Sequence, residues 1–318
     1  MVKNNVKHIK IKNRLVLICL ILLVSISTMG QNTKTKFIKL SKHNIDLHYM
    51  TSGKKSNKTF VLVHGLGSYS KAFLKNIDQL ANHAKVYAID LPGFGKTELR
   101  NFVPSMNNYA QLMNEFVIKK RLTNVVLVGH SMGGQIVTTI AINEAPEWLD
   151  SIVLLSPAGI ETFTSSDLAW FNNVITEALY LNLTDEQIKN NFSINFNDGQ
   201  LPKDAVFMLE DRMLIKEDQM KYQQYCSHIV NCINAMLNEP IYHDISNINV
   251  PIKMFFGKED LLIPNKILHP KLSLEDLVNK LKKDYPNVVV EIVENAGHFV
   301  QWDRNDIINK SLIRDLNN

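Results

Sequence analysis

The sequence predicts an α/β protein in which a mostly parallel, eight-stranded sheet is flanked by helices and carries a helical segment inserted after the sixth strand. Three observations predict this class. Short apolar runs rich in valine and isoleucine recur along the chain, helix-like stretches separate several of them, and residues 161–249 contain no strand pattern. Continuous apolar runs are typical of strands buried on both faces, as in a parallel sheet covered by helices.

The strand pattern begins with a hairpin over residues 37–40 and 45–50. Six further strands are predicted after it, at 59–63, 85–89, 124–128, 151–155, 252–256 and 288–292. Helical periodicity covers residues 109–121 and 133–143. Because a crossover helix returns the chain to a parallel strand, this alternation predicts an α/β core built from residues 31–160 and 250–318.

Residues 161–249 show helical patterns only. Apolar side chains from Leu168 to Leu179 follow helical spacing, residues 222–236 do the same, and residues 184–187 (TDEQ) form a capping-box pattern. An apolar helical insertion above the carboxyl ends of parallel strands is where a lid over a pocket lies. We therefore expect a helical cap that contacts substrate, with Phe171 and Met213 as candidate substrate-binding residues, and that sets acyl-chain preference rather than chemistry.

The composition, 318 residues with 45% hydrophobic and 21% charged, supports a large core without disulfides or a structural metal. The formal charge of +4 comes from the first 30 residues, which hold five cations and no acid. The rest of the chain therefore gives no general electrostatic case for nucleic-acid binding, and a local basic patch is the alternative left open. Cys226 and Cys232 fall in a predicted helix, where ~1.5 Å of rise per residue puts them ~9 Å apart, too far for a disulfide.

The first 30 residues predict a secretory signal peptide, because a positively charged start precedes a 12-residue apolar run and then small residues. The run is shorter than the ~20 residues that span a bilayer as a helix. We therefore expect an exported protein, periplasmic or extracellular; an uncleaved signal that anchors it to the membrane is the alternative left open.

The strand at 124–128 runs directly into the segment GHSMGG at 129–134, which a predicted helix follows. This strand, G-x-S-x-G turn and helix predict a nucleophilic serine, Ser131. The small neighbours Gly129 and Gly133 permit a tight, strained turn that lifts the hydroxyl clear of the sheet. The helix N-terminus favours negative charge developing nearby.

A serine nucleophile needs a base, and the base needs an acid to orient it. His298, in NAGHF after the last strand, is the candidate base, and Asp260, in GKED after the seventh strand, is the candidate acid. Glu259 next door competes with Asp260, which is preferred because Ser, Asp and His then occur in the chain order expected for this type of triad. We interpret His130 as structural, because its side chain should point away from the serine.

The segment HGLG at residues 64–67 ends an early strand, where a loop can direct a backbone N–H at a substrate carbonyl oxygen. We expect the N–H groups of Leu66 and Met132 to form an oxyanion hole.

Together, HGLG, DLPGFG at 90–95, GHSMGG, GKED and AGH at 296–298 resemble the α/β-hydrolase superfamily, over essentially the whole chain past residue 37. Ser131 argues against the haloalkane dehalogenase and epoxide hydrolase branches, which use aspartate. The segments LVGHSMGGQ and LSPAGIE are most similar to membrane-associated acylglycerol lipases and related esterases. Carbon–carbon bond hydrolases of aromatic degradation share nearly the same motifs, so that alternative stays open.

The resemblance implies an α/β-hydrolase fold and a serine esterase or lipase that cleaves medium-chain or acylglycerol-like esters through an acyl-enzyme. A non-catalytic ligand-binding homologue is a second alternative. No zinc-type spacing, Walker loop or complete G-x-G-x-x-G occurs, so we expect no cofactor and no metal. The expected partner is a small-molecule ester or lipid, without nucleic acid; peripheral membrane contact and the oligomeric state stay open.

Overall fold

The structure, a computed structural model, describes residues 33–143 and 146–316. The predicted signal peptide, residues 1–30, lies outside the described residues. Within the described part of the chain, no helix combines the length and apolar character needed to cross a bilayer.

Eight strands form one sheet in the order β1-β2-β4-β3-β5-β6-β7-β8. β1 pairs antiparallel with β2, and β2 with β4, whereas every other neighbouring pair is parallel. The mostly parallel, eight-stranded sheet predicted from the apolar runs is confirmed. The strands are β1 (Lys34–Leu40), β2 (Ile45–Ser52), β3 (Thr59–Val63), β4 (Lys85–Ile89), β5 (Val125–His130), β6 (Leu149–Leu155), β7 (Ile252–Gly257) and β8 (Val289–Val293).

Helices flank the sheet and fill the long interval between β6 and β7. Those of the core are α1 (Leu74–Ala81), α2 (Met106–Lys120), α3 (Met132–Ile142), α9 (Leu274–Asp284), α10 (Val300–Asp303) and α11 (Asn305–Arg314). Those between β6 and β7 are α4 (Ser165–Val174), α5 (Glu177–Leu181), α6 (Asp185–Ser193), α7 (Val206–Glu217) and α8 (Gln219–Asn238). We call residues 161–249 the helical insertion; its status as a separate cap domain stays a prediction.

The core lies on both faces of the sheet. All five residues of β3 are buried, and the four apolar ones, residues 60–63, alternate between two hydrophobic clusters. Val61 packs on the side of α2 and α3, and Phe60 packs on the side of α1 and α11. Because successive side chains of a strand point to opposite faces, an uninterrupted apolar run buries both.

Side-chain caps set the helix boundaries within the insertion. The predicted capping box forms at α6, where Gln187 N–H donates to Thr184 Oγ1 (3.2 Å) and Thr184 N–H donates to Gln187 Oε1 (2.8 Å). The apolar spacing from Leu168 to Leu179 is divided between α4 and α5, because Thr176 Oγ1 accepts the Leu179 N–H (3.2 Å) and starts a new helix.

Candidate active site

Ser131 is the single residue between the end of β5 and the start of α3. Its backbone has φ 53° and ψ −119°, in the left-handed half of conformational space that side chains other than glycine disfavour. A Cβ atom added at Gly129 would lie 2.4 Å from the carbonyl oxygen of Gly133, and one added at Gly133 would lie 2.2 Å from that of Val63. The tight, strained turn at Ser131 therefore depends on glycine at both neighbouring positions.

His298 and Asp260 meet at the carboxyl edge of the sheet. His298 Nδ1 lies 2.8 Å from Asp260 Oδ2, and the two residues are only 4% and 6% exposed. The other carboxylate oxygen accepts the N–H groups of Leu262 (2.8 Å) and Ile263 (3.0 Å). Because a carboxylate only accepts, Nδ1–H is the donor, and Nε2 is left with the lone pair that a general base needs.

Glu259, the competing acid in the sequence, binds the backbone of the segment that carries His298 and not the imidazole ring. Its Oε2 accepts the N–H of Ala296 (3.0 Å) rather than the imidazole of His298. The structure thus brings Asp260, and not Glu259, to the candidate base.

His130 lies behind the site. Its Nε2–H donates to the carbonyl oxygen of His298 (3.0 Å), and the two rings are 5.0 Å apart. Burial lowers the pKa of His130 well below its ordinary value of 6.5, so the ring is neutral near pH 7. These contacts support the structural interpretation, because the ring holds the backbone of the candidate base.

Within residues 33–143 and 146–316, no hydrogen bond joins Ser131 Oγ to His298. The two segments are linked instead by the hydrogen bond from His130, the residue before Ser131, to the His298 carbonyl oxygen. Bonds between a nucleophile and its base are often long in ligand-free enzymes and tighten with substrate.

Residues 64–67, which we call the oxyanion loop, pass directly beside Ser131. A Cβ atom added at Gly65 would lie 2.9 Å from the Cβ of Ser131. His64 Nδ1–H donates to Gly65 O (2.7 Å), and His64 Nε2 accepts the N–H of Leu91 (3.0 Å). Gly65 O and the N–H of Leu66 belong to the same peptide plane, so the bond from His64 orients that predicted oxyanion donor.

The protonation of His64 and the position of Met132 also bear on the predicted oxyanion hole. Burial lowers the pKa of His64 from 6.5 to about 4, which keeps its ring neutral and its Nε2 an acceptor. Met132, the second predicted donor, is the first residue of α3, where backbone N–H groups have no partner within the helix. The two predicted donors therefore lie on the two segments that meet at Ser131.

A cavity of about 360 Å³ lies between the insertion and the core, where residues 67–71 and 90–96 form most of the core wall. It borders the site rather than containing it, because its walls include Gly67 and Ser68 but none of Ser131, Asp260 and His298. On the insertion side the walls are Met208, Asp211, Arg212, Ile215 and Tyr225.

The candidate substrate residues Phe171 and Met213 do not line this cavity. The ring of Phe171 packs edge to face on Phe163 (5.2 Å) and on Trp170 (5.3 Å). Met208 and Tyr225 line it instead. The sequence showed that the insertion is rich in aromatic residues and methionine, but this composition could not predict which of them line the cavity. Arg212 carried no signal in the sequence at all.

No group of three or more histidine, cysteine, aspartate or glutamate side chains in the described ranges is arranged to hold a metal ion.

The mostly parallel eight-stranded sheet with flanking helices is the fold of an α/β-hydrolase. The chain belongs to the family described as serine aminopeptidase S33 (Hydrolase_4), whose model matches residues 54–304. It is therefore a hydrolase, and its substrate is a small molecule.

Two curated relatives cover most of the chain. The uncharacterized hydrolase YugF of Bacillus subtilis is 26% identical over 83% of this chain and 91% of that protein. A 2-hydroxy-6-oxononadienedioate/2-hydroxy-6-oxononatrienedioate hydrolase of Burkholderia vietnamiensis is 23% identical over 90% of this chain and 96% of that protein. Among solved structures, a membrane phospholipase A matches with a TM-score of 0.72 at 20% identity, over 98% of each chain.

Proposed function

We propose that this hydrolase cleaves carboxylic esters, of medium-chain or acylglycerol-like lipid type, through an acyl-enzyme intermediate on Ser131. The observation that carries the proposal is the strained turn at Ser131 beside a buried His298–Asp260 pair. The structural neighbour named a phospholipase A supports a lipid-like ester.

In this proposal Ser131 Oγ attacks the ester carbonyl carbon while its proton passes to Nε2 of His298. Asp260 stabilises the imidazolium that forms. The N–H groups of Leu66 and Met132 hold the oxyanion of the tetrahedral intermediate, which collapses when the C–O bond to the alcohol breaks and His298 returns the proton to the leaving oxygen. Water, activated by the same histidine, then attacks the acyl-enzyme and releases the acid.

Hydrolysis of p-nitrophenyl esters by the wild type and by Ser131→Ala tests the proposal. Loss of a triad nucleophile lowers kcat by about 10⁶-fold in a well-studied serine hydrolase, so we expect only residual turnover in the variant. A fluorophosphonate probe should label the wild type and leave Ser131→Ala unlabelled. Equal turnover by the two proteins would refute the assignment, and an unlabelled wild type would favour a non-catalytic binding protein.

A carbon–carbon bond hydrolase is the second candidate, supported by the Burkholderia relative that aligns over most of both chains. A 2-hydroxy-6-oxo dienoic acid, assayed beside the esters, separates the two activities. Faster cleavage of this acid than of every ester would replace the ester proposal.

We also propose that the protein is exported, on the pattern of its first 30 residues. N-terminal sequencing of the protein from fractionated cells tests this, and a full-length chain confined to the cytosol would contradict it.

A further inference from the structure

The insertion contacts the oxyanion loop through one arginine of α7. Arg212 Nη2 donates to the carbonyl oxygen of Gly67 at 2.7 Å, and this is the single hydrogen bond of the guanidinium within residues 33–143 and 146–316. Gly67 directly follows Leu66, the predicted oxyanion donor. A residue of the insertion thus binds the backbone next to the reacting centre.

Residues 65–68, which overlap the oxyanion loop, form a four-residue turn whose shape depends on Gly67. The N–H of Ser68 donates to Gly65 O (3.2 Å) and closes the turn. Gly67, its third residue, has φ +66°, as a type II turn requires at that position. A Cβ atom added there would lie 2.8 Å from Tyr225 Oη and 3.0 Å from Arg212 Nη2. The turn and the insertion are therefore packed directly against each other.

The guanidinium itself is held in place by the insertion. Its Cζ lies 4.0 Å from the ring centroid of Tyr225, a residue of α8 that is only 7% exposed. A cation stacked on a buried aromatic face loses much of its freedom to move. Arg212 is thus a fixed donor and not a mobile surface side chain.

The neighbouring residue of α7 binds the chain just after the loop. Asp211 accepts a hydrogen bond from the hydroxyl of Tyr69 and one from Lys71 Nζ (2.9 Å). Two successive residues of α7 therefore contact residues 67–71, which shows that the insertion is seated on this segment and does not touch it at one point only.

We propose that Arg212 is a positioning residue for the oxyanion hole, an inference that rests on the proposed function. By holding Gly67 O, it fixes the second half of the turn, while His64 and the Ser68 N–H hold Gly65 O in the first half. With both halves fixed, the N–H of Leu66 keeps one direction toward the developing oxyanion. The insertion then acts on the chemistry as well as on acyl-chain preference.

The test compares Arg212→Ala with the wild type on p-nitrophenyl acetate, whose acyl group is too short to report on chain-length selection. Loss of a complete oxyanion donor costs about 10²–10³ in kcat, so a misdirected donor should cost roughly tenfold or more. We expect KM to stay within about twofold, because the donor acts mainly in the transition state. Guanidinium ion, at concentrations too low to unfold the protein, should restore part of kcat.

Binding of a short-chain trifluoromethyl ketone gives a second readout, since its hemiketal oxyanion occupies the same donors. Its inhibition constant should rise in Arg212→Ala by the same factor by which kcat/KM falls. If Arg212→Ala does not fold, Arg212→Lys, which keeps the charge but not the planar donor geometry, takes its place in both measurements.

Lys216→Met is the matched control. Lys216 is the cation one turn further along α7, and its partners Asp185 (2.7 Å) and the Leu183 carbonyl oxygen (2.8 Å) both lie within the insertion. Its kcat should match that of the wild type. An equal loss in Lys216→Met, a rise in KM alone, or an unchanged kcat in Arg212→Ala would each overturn the inference. A wild type that hydrolyses no ester would instead refute the proposed function.

Discussion

The carboxyl edge of the sheet and the outer helices of the insertion differ in how deeply their residues are buried. At the sheet edge, Asp260 and His298 are almost fully buried and bonded to each other. In the insertion, α4 and α5 contain no buried residue. The inner helix α8 lies between these extremes, with a buried face that includes Tyr225 and His228. Substitutions should therefore disturb chemistry at the sheet edge and specificity in the insertion, except where α7 and α8 reach the oxyanion loop.

The largest expected effect concerns the acid at the sheet edge. Asp260→Asn should fold normally and lower kcat by about 10³–10⁴-fold, because an amide favours the wrong tautomer of His298. Glu259→Gln is the matched control, since its carboxylate accepts a backbone N–H and not the ring. Steady-state kinetics on a p-nitrophenyl ester measures kcat for both variants. If Glu259→Gln lost activity while Asp260→Asn kept it, Glu259 would be the acid of the triad.

Alanine substitutions at two glycines, one in the core and one in the insertion, compare how tightly the two regions are packed. Gly133→Ala puts a methyl group 2.2 Å from a backbone oxygen of β3 and should cost at least about 3 kcal/mol of unfolding free energy. Gly199→Ala, in the insertion, meets nothing closer than 3.8 Å, so the cost is that of its positive φ alone, about 1–2 kcal/mol. Urea denaturation measures both, and equal costs would contradict the comparison.

Acid should destabilise the fold through His228 of α8. Burial lowers its pKa from 6.5 to about 4, so between these values the unfolded chain binds the proton and the folded chain does not. The stabilising contribution is present above pH 6.5 and is lost as the pH falls toward 4. From pH 7.5 to 5 this histidine should account for about 2 kcal/mol of lost unfolding free energy. His228→Gln should lose correspondingly less over the same range in urea denaturation, and an unchanged pH dependence would contradict the assignment.

The smallest expected effect is on acyl-chain preference. Met208 is 4% exposed and lines the cavity beside the oxyanion loop. Met208→Ala should change the ratio of kcat/KM between octanoate and butyrate esters by roughly tenfold, since one methylene is worth about 1 kcal/mol in an apolar pocket. Phe171→Ala and Met213→Ala, outside that lining, should change it less. A larger shift in Phe171→Ala would place the acyl chain beyond this cavity.

The sequence predicted the sheet well because burial on both faces demands continuous apolar runs, as in β3 and β5. It also predicted the turn at Ser131, because only glycine fits at the positions two residues before and two residues after it. It did not locate the end of α4. The apolar spacing continues past Thr176, whereas the Thr176 hydroxyl caps the start of the next helix. The contact of Arg212 with Gly67 depends on how α7 is seated on the core, and no local pattern of residues encodes that placement.

The positive φ of Ser131 also bears on protein engineering. A residue held in this conformation costs on the order of 1–3 kcal/mol, which glycine at the same position would largely recover. A directed-evolution campaign that ranks variants only by melting temperature would thus reward Ser131→Gly, which under the proposed function lacks the nucleophile. Any such campaign on this scaffold needs a turnover assay in every round.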